Sequence, residues 1–290
     1  MTHGLSFDIE EHFQVAAFDS VVRRRHWESF ESRVERNTQV LLELLEERGV
    51  KATMFIVGWV AERHKSLVRT LAEAGHEIAC HSYAHELIGV QTPQQFREDV
   101  RRTKQLLEDL TGQPVWGYRA PTFSITKETE WALAILVEEG YKYDSSIVPI
   151  VHDFYGIPGA NPYIHVHQTP SGEIWEVPPS TCRAWGLSIP VAGGGYFRLF
   201  PYSIFHRLLK RVEGSGHPLI MYFHPWEFDP DQPRMRGSAL SRFRHYHNLD
   251  KTKERLSRLL DDFSFGPIAS LVPMVAEPSV PCTESLSLTS

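Results

Sequence analysis

The chain has 290 residues, of which 42% are hydrophobic and 23% charged, with a formal net charge of −6; this is the make-up of an ordinary globular protein with apolar residues enough for a sizeable core. An acidic balance with no basic block argues against nucleic acid as the main partner, and no stretch approaches the roughly 20 apolar residues of a transmembrane span. The opening Met1-Thr2-His3-Gly4-Leu5 lacks the basic and apolar regions of a secretory signal, so a cytoplasmic location is expected, and Cys80, Cys182 and Cys282, with no metal-type spacing, read as free thiols.

Residues 5–11, Leu-Ser-Phe-Asp-Ile-Glu-Glu, alternate apolar and polar side chains and predict a first strand. Asp8 and Glu10 lie two apart, so on an extended chain they share a side. Carboxylates at 8, 10 and 11 on a buried strand need something cationic to meet them. From 29 to 48 the period turns helical, with Val34, Val40, Leu41, Leu44 and Leu45 as the apolar stripe and Gly49 as its stop. Residues 51–57 predict a second strand, 65–74 a helix ended by Gly75, and Ile78-Ala79-Cys80 a third strand. Thr92 caps, and Pro93 opens, a helix over 93–110. Residues 115–121 predict a strand broken by Pro121, 127–139 a helix capped by Thr126, and 141–147 a short strand. The rhythm then fails, and 149–172 reads as a long loop or hairpin rich in Pro, Gly and His. Strand character resumes over 174–178, Gly193-Gly194-Gly195 reads as a turn, a helix spans 202–212, and an apolar strand over 218–223 ends at His224. A proline-rich loop over 229–236 and a helix over 249–262 follow; the folded domain is expected to span 1–270, with 271–290 a disordered tail.

Repeated strand–helix units imply a parallel sheet with helices outside it, and about seven strands in unbroken series fit a single-domain, deformed (β/α) barrel better than an open sheet. The polar groups that could carry chemistry follow strand ends. His81 and His85 stand four apart, just past the third strand, where two imidazoles can converge on one metal ion; zinc takes such nitrogens together with a carboxylate and leaves a position for water when it is catalytic. Asp8 and Glu10 follow the first strand, Arg119 the fourth and His224 the last, and in a parallel α/β barrel those ends share the face on which active sites assemble.

The ordered set Ser6-Phe7-Asp8-Ile9-Glu10, His81-Ser82-Tyr83-Ala84-His85, Tyr118-Arg119-Ala120-Pro121 and Tyr222-Phe223-His224-Pro225 resembles the motifs of the polysaccharide deacetylases, carbohydrate esterase family four, over residues 5–260 or so. Residues 8–18, 224–234 and 244–255 further resemble a subfamily found with bacterial exopolysaccharide synthesis and export systems. The resemblance implies metal-dependent removal of N- or O-acetyl groups from an acetylated glycan, with a divalent metal, Zn2+ by preference, held by His81, His85 and a carboxylate. In the family that carboxylate directly follows the base; here Ile9 follows Asp8, so the ligand shifts to Glu10 or Glu11, and Glu10, on Asp8's side and longer by a methylene, is favoured. Asp8 is then the implied base, Arg119 the cation paired with it, and His224 the general acid. The family's aspartate that supports the acid is missing from Trp175-Glu176-Val177-Pro178-Pro179, which leaves Glu176 or Asp144 as candidates. Tyr118, Pro121, Trp175 and Trp226 are candidate substrate contacts; Trp185 and Phe228 are further candidates for stacking on sugar, and His245 with His247 for a second metal. Polysaccharide synthesis or export machinery is a candidate partner. The alternatives are a small-molecule amide or ureide hydrolase on the same barrel and a catalytically silent glycan-binding component; the presence of Asp8, Arg119 and His224 weighs against the second.

Overall fold

Alternation along the first strand sets the layout of the molecule, a computed structural model that describes residues 1–18, 21–151, 155–184 and 187–273. In β1 (His3–Ile9) every residue is buried. Leu5, Phe7 and Ile9 join the large apolar cluster shared with the helices, while Ser6 and Asp8 turn to the other side and meet Arg119. A strand buried on both faces requires a cover on each, which is the arrangement of strands inside a parallel α/β fold.

The strands that follow are β2 (Thr53–Ile56), β3 (Glu77–Cys80), β4 (Gly117–Tyr118), β5 (Tyr143–Asp144), β6 (His165–Thr169), β7 (Gly172–Glu176), β8 (Thr181–Ala184), β9 (Leu187–Pro190), β10 (Ile220–Phe223) and β11 (Phe265–Gly266). In the main sheet the order is β10-β1-β2-β3-β4-β5-β7-β6, with β11 also on β1. Every pairing from β10 to β7 is parallel, and β6 turns back on β7 as an antiparallel hairpin. The regular ladder does not return to β10. The gap is bridged instead by Ser180 N–H donating to the Ile220 carbonyl at 3.1 Å and Tyr222 N–H donating to the Ala192 carbonyl at 3.0 Å. The result is a distorted barrel whose seam is a few isolated hydrogen bonds. Its interior is packed by Phe55, Ala79, Tyr143, Val177, Ile220, Ile268 and Val272.

Helices cover the outside: α1 (Val34–Glu47), α2 (Gly58–Arg63), α3 (Lys65–Glu73), α4 (Pro93–Thr111), α5 (Trp131–Glu138), α6 (Gly194–Leu199), α7 (Tyr202–Glu213), α8 (Ala239–Tyr246) and α9 (Thr252–Asp262). The expected cap of α4 is present: Thr92 accepts from Gln95 N–H and Gln95 reciprocates, with Pro93 opening the helix. No helix among the described residues is long and apolar enough to cross a membrane.

Several expected elements differ. The strand expected over 115–121 shrinks to the two residues Gly117–Tyr118. The 193–195 turn is the start of α6. Elements α2 and α8 and the β8–β9 hairpin had no strong periodic signal. The expected tail begins too early, since Leu271 and Val272 pack against the barrel-interior cluster; residues 274–290, like Trp185 and Cys282, lie outside the described residues. Cys80 and Cys182 are buried and free.

Candidate active site

Strand register levels the functional groups. Ile9 pairs with Ile56, Ile56 with Cys80 and Cys80 with Tyr118, so the residues one step on, Glu10, His81 and Arg119, emerge in one row. Phe223 pairs with Phe7, which brings His224 level with Asp8. A parallel ladder thus converts four distant sequence positions into one ring at the strand C-termini.

The histidine loop is built against local preference. Ser82 (φ 58°) and His85 (φ 48°) both occupy the left-handed region, a cost of order 1–3 kcal/mol apiece that persists only where neighbours over-determine it. The neighbours here are hydrogen-bonded. The N–H groups opening α2, on Gly58 and Trp59, donate to the carbonyls of Ser82 and Tyr83 at 2.9 and 2.8 Å. Asp99 on α4 accepts from Tyr83 N–H at 2.9 Å, its carboxyl raised by burial to about 6, and the Ser82 hydroxyl meets Tyr118 Oη at 2.8 Å.

The loop presents His81 and His85 to Glu10. Their ligand-type atoms lie within 4.8 Å of one another. Glu10 Oε2 is 2.8 Å from His85 Nε2 and 3.8 Å from His81 Nε2, yet it is buried with no hydrogen-bond partner. His81 Nδ1–H donates to the Arg119 carbonyl at 2.8 Å, which leaves Nε2 bare toward the cluster. Burial pushes His81 down to about 4, so at neutral pH it is the uncharged imidazole that a metal requires. Burial opposes ionisation of Glu10, but His85 and His224 beside it hold its carboxyl far below the usual range. An orphaned carboxylate oxygen facing two imidazole nitrogens is a donor set suited to zinc or a similar divalent ion. Glu11 turns the other way: it accepts from Arg33 N–H at 3.0 Å and from the Ser32 hydroxyl, where the chain enters α1.

Asp8 stands beside this cluster with its two oxygens divided. Oδ1 accepts from Arg119 at 2.7 Å; Oδ2 faces the cavity, 3.9 Å from His81 Nε2 and 3.8 Å from His224 Nε2. Arg119 is fully buried. Its guanidinium also donates to Ser6 Oγ, the Ser145 carbonyl and Ser145 Oγ at 2.9, 3.2 and 2.9 Å, and it lies 4.1 Å over the Phe55 ring. That network answers the buried-carboxylate problem posed by β1.

His224 has a partner that residue reading passed over. Its Nδ1 meets Glu227 Oε1 at 2.8 Å, and Arg198 donates to Glu227 Oε2 at 2.9 Å. Burial alone would lower the imidazole, but Glu10, Glu227 and Asp8 outweigh it and raise His224 to about 9. The signal was available in His224-Pro225-Trp226-Glu227, a turn whose third residue on reaches back to its first. Glycine at 194 makes room, since a Cβ there would collide with the Glu227 carboxylate. The candidates Asp144 and Glu176 do not support His224. They are fully buried and bonded to each other; burial raises both, and the mutual contact adds to the rise on Glu176 while opposing it on Asp144.

The cavity over these groups has a volume of about 490 Å³, and Phe123, Tyr155, Tyr222 and Trp226 are its aromatic lining. Trp226 is only 5% exposed, sandwiched between His224 and His245 with centroids at 4.8 and 4.1 Å, and it donates Nε1–H to Glu10 Oε1 at 3.0 Å. It therefore acts as a wall that orients Glu10, with little face left for a sugar. Tyr118, Pro121 and Trp175 are absent from the lining, a correction to their expected role. Tyr118 is enclosed by Phe96 and Tyr141, Trp175 packs against the barrel-interior cluster, and the turn opened by Pro121 presents Thr122 and Phe123 instead. Phe228 is buried in the main core. His245 is engaged with Gln232 and His247 with Asn248, so they do not converge on one ion.

Residues 20–143 match the polysaccharide deacetylase profile. That match spans less than half of the chain. The remaining part, residues 145–273, matches a domain of unknown function, DUF3473, and the site draws on both stretches: His81, His85 and Arg119 from the first, His224 and Glu227 from the second. The N-terminal part is 32% identical over 108 residues to the peptidoglycan deacetylase of Helicobacter pylori (37% of this chain, 36% of that one). It is 30% identical over 96 residues to the peptidoglycan-N-acetylglucosamine deacetylase of Bacillus cereus (33% and 35%). The chain thus spans little more than a third of the length of these curated relatives. In fold, a crystal structure of a candidate polysaccharide deacetylase from Mycobacterium smegmatis superposes with a TM-score of 0.60 at 19% identity, covering 95% of this chain and 91% of that one. An allantoinase superposes with a TM-score of 0.57 at 16% identity, covering 91% and 85%. Both support the barrel-like α/β architecture.

Proposed function

We propose that this protein is a metal-dependent hydrolase that removes acetyl groups, N-acetyl by preference, from a sugar polymer or oligosaccharide. The observation that carries the reading is the division of labour around one cluster: Asp8 Oδ2 and His224 Nε2, 3.8 Å apart, flank the Glu10–His81–His85 set inside one cavity. A divalent metal bound by those three residues, Zn2+ by the two-nitrogen, one-carboxylate donor set, would polarise the acetyl carbonyl and acidify a water.

The chain's own groups then move the protons. Arg119 holds Asp8 Oδ1, so Oδ2 is the free oxygen that takes the proton of the attacking water. His224, protonated and with Nδ1–H donated to Glu227, delivers its Nε2 proton to the leaving nitrogen. Glu227 stabilises the charged imidazole and Arg198 fixes Glu227. The base and acid are therefore held by separate partners, Arg119 and Glu227, and do not compete for one. A silent glycan binder has no use for such a pair.

A role in bacterial exopolysaccharide synthesis is our further reading, supported by the likeness of residues 8–18, 224–234 and 244–255 to that subfamily. Parts of all three stretches line the cavity: Val15, Trp226 and Arg244. Acetate release from a panel of acetylated oligosaccharides, with and without chelator, tests the activity. Asp8→Asn is expected to abolish turnover with metal still bound, and His81→Ala to lose the metal. Full activity in Asp8→Asn would sink the mechanism.

A further inference from the structure

Although the chain as a whole is acidic, one wall of the cavity is not. Residues 232–248, Gln-Pro-Arg-Met-Arg-Gly-Ser-Ala-Leu-Ser-Arg-Phe-Arg-His-Tyr-His-Asn, contain four arginines and no carboxylate. Ser241, Arg244 and His245 from this segment line the same cavity as Asp8, Glu10 and His224. Each carboxylate in the lining has at least one partner: Asp8 has Arg119 on Oδ1, Glu227 has Arg198 and His224, and Glu10 has Trp226 on Oε1 beside the two histidines. Arg198 is likewise consumed by Glu227 and by the carbonyls of Arg244, His245 and His247. The Arg244 guanidinium is exposed and has no ion pair or hydrogen bond among the described residues. Its charge reaches the neighbouring Tyr155 phenol, also in the lining.

The position of Arg244 is held from behind. Its carbonyl accepts from Arg198 Nη2 at 3.3 Å, and the same guanidinium anchors Glu227, the partner of the His224 imidazole. One residue thus ties the basic wall to the acid that would protonate the leaving nitrogen. A forked cation lining the same cavity as the reacting groups is suited to a planar or tetrahedral oxyanion, which it can hold by paired N–H bonds.

We infer that Arg244 is a specificity-determining residue, and that the substrate carries an anionic group, a carboxylate or a phosphate ester, close to the acetylated position. The inference rests on the deacetylase reading and narrows its substrate class to acidic acetylated glycans. Two sources share this chemistry: a uronic acid next to the acetylated sugar, or a phosphate linkage at its reducing end.

Binding separates the inference from the activity. Calorimetry on the Asp8→Asn protein uses three probes: a neutral N-acetylglucosamine trimer, a trisaccharide alternating N-acetylglucosamine with glucuronic acid, and N-acetylglucosamine diphosphate on a short prenol. At least one acidic probe is expected to bind about tenfold or more tighter than the neutral trimer, the effect of one hydrogen-bonded charge pair, and the preference is expected to shrink as salt rises. Arg244→Gln is expected to erase the preference while leaving binding of the neutral trimer unchanged; Arg244→Lys should restore part of it. Which acidic probe wins identifies the source. Equal binding of neutral and acidic probes, equal weakening of all three by Arg244→Gln, or binding of none overturns the inference. Absence of acetate release from wild-type protein with an intact acidic preference would sink the deacetylase reading instead.

Discussion

Glu227→Gln is the most informative single change, because it removes a charge and leaves a hydrogen bond in place. The side chain sits 2.8 Å from His224 Nδ1 and 2.9 Å from Arg198 Nε with 1% of its surface exposed. Two unit charges about 4 Å apart interact by roughly 4 kcal/mol at an effective dielectric near 20. Glutamine's carbonyl still accepts from Nδ1–H, so the loss is the charge-dependent share, about 1.5–3 kcal/mol by comparison with other hydrogen bonds to charged groups. If that share stabilises the protonated imidazole in the reaction, kcat falls about 10- to 100-fold. Arg198 still has three backbone carbonyls to donate to, so the fold should survive. The sign with pH follows from the role: the acid must be protonated, so activity is lost as pH rises through its pKa. Glu227 is one of the carboxylates that raise His224 to about 9, and with a cation on Glu10 its share of that rise grows. The alkaline limb of the kcat profile is therefore expected to move to lower pH in Glu227→Gln, with metal content unchanged by elemental analysis. An unmoved limb, or a variant as active as wild type, refutes the assignment of Glu227 as the residue that positions and charges His224.

The two first-strand glutamates should separate cleanly. Glu10→Gln is expected to release the metal with a small change in Tm, whereas Glu11→Gln should keep the metal and lose roughly 1 kcal/mol of stability with the cap it gives α1, read by denaturant unfolding and metal analysis. Gly194→Ala drives a Cβ into the Glu227 carboxylate and should lower kcat with little change in metal content, checked by kinetics beside elemental analysis. The buried Asp144–Glu176 pair makes stability pH-dependent. Both folded values are raised, so the contribution is complete below the unfolded carboxylate range near 4–4.5 and is lost as pH rises through the folded values. Thermal unfolding from pH 5 to 9 should therefore show wild type losing Tm relative to Glu176→Gln as pH increases; a constant difference would mean that the pair titrates alike folded and unfolded.

Much of the site was legible because its cues are local. Asp8 and Glu10 share a side through the two-residue period of a strand, His81 and His85 follow the same strand end, and Arg119 and His224 each close an apolar run; the register of parallel strands then levels them. Helix α4 was readable to its caps for the same reason. What a side chain faces is a different kind of fact. Glu10 and Glu11 are adjacent and chemically alike, and only the packing of α1 against the end of β1 claims Glu11 and leaves Glu10 for the histidines. Glu227 stands three residues from His224, but its use depends on Arg198 arriving from α6 and on the space above Gly194. Tyr118 and Trp175 are aromatic beside the motifs, yet Tyr118 is buried against Phe96 and Tyr141 and Trp175 is half-buried against the barrel-interior cluster, because enclosure decides which ring can meet a substrate. The sequence by itself determined which chemical groups gather at the strand ends, since that follows from period and order along the chain. Only the tertiary structure decided their pairing, because contacts between elements far apart in sequence consume some polar groups and leave others, Glu10 Oε2 and the Arg244 guanidinium among them, turned toward the cavity.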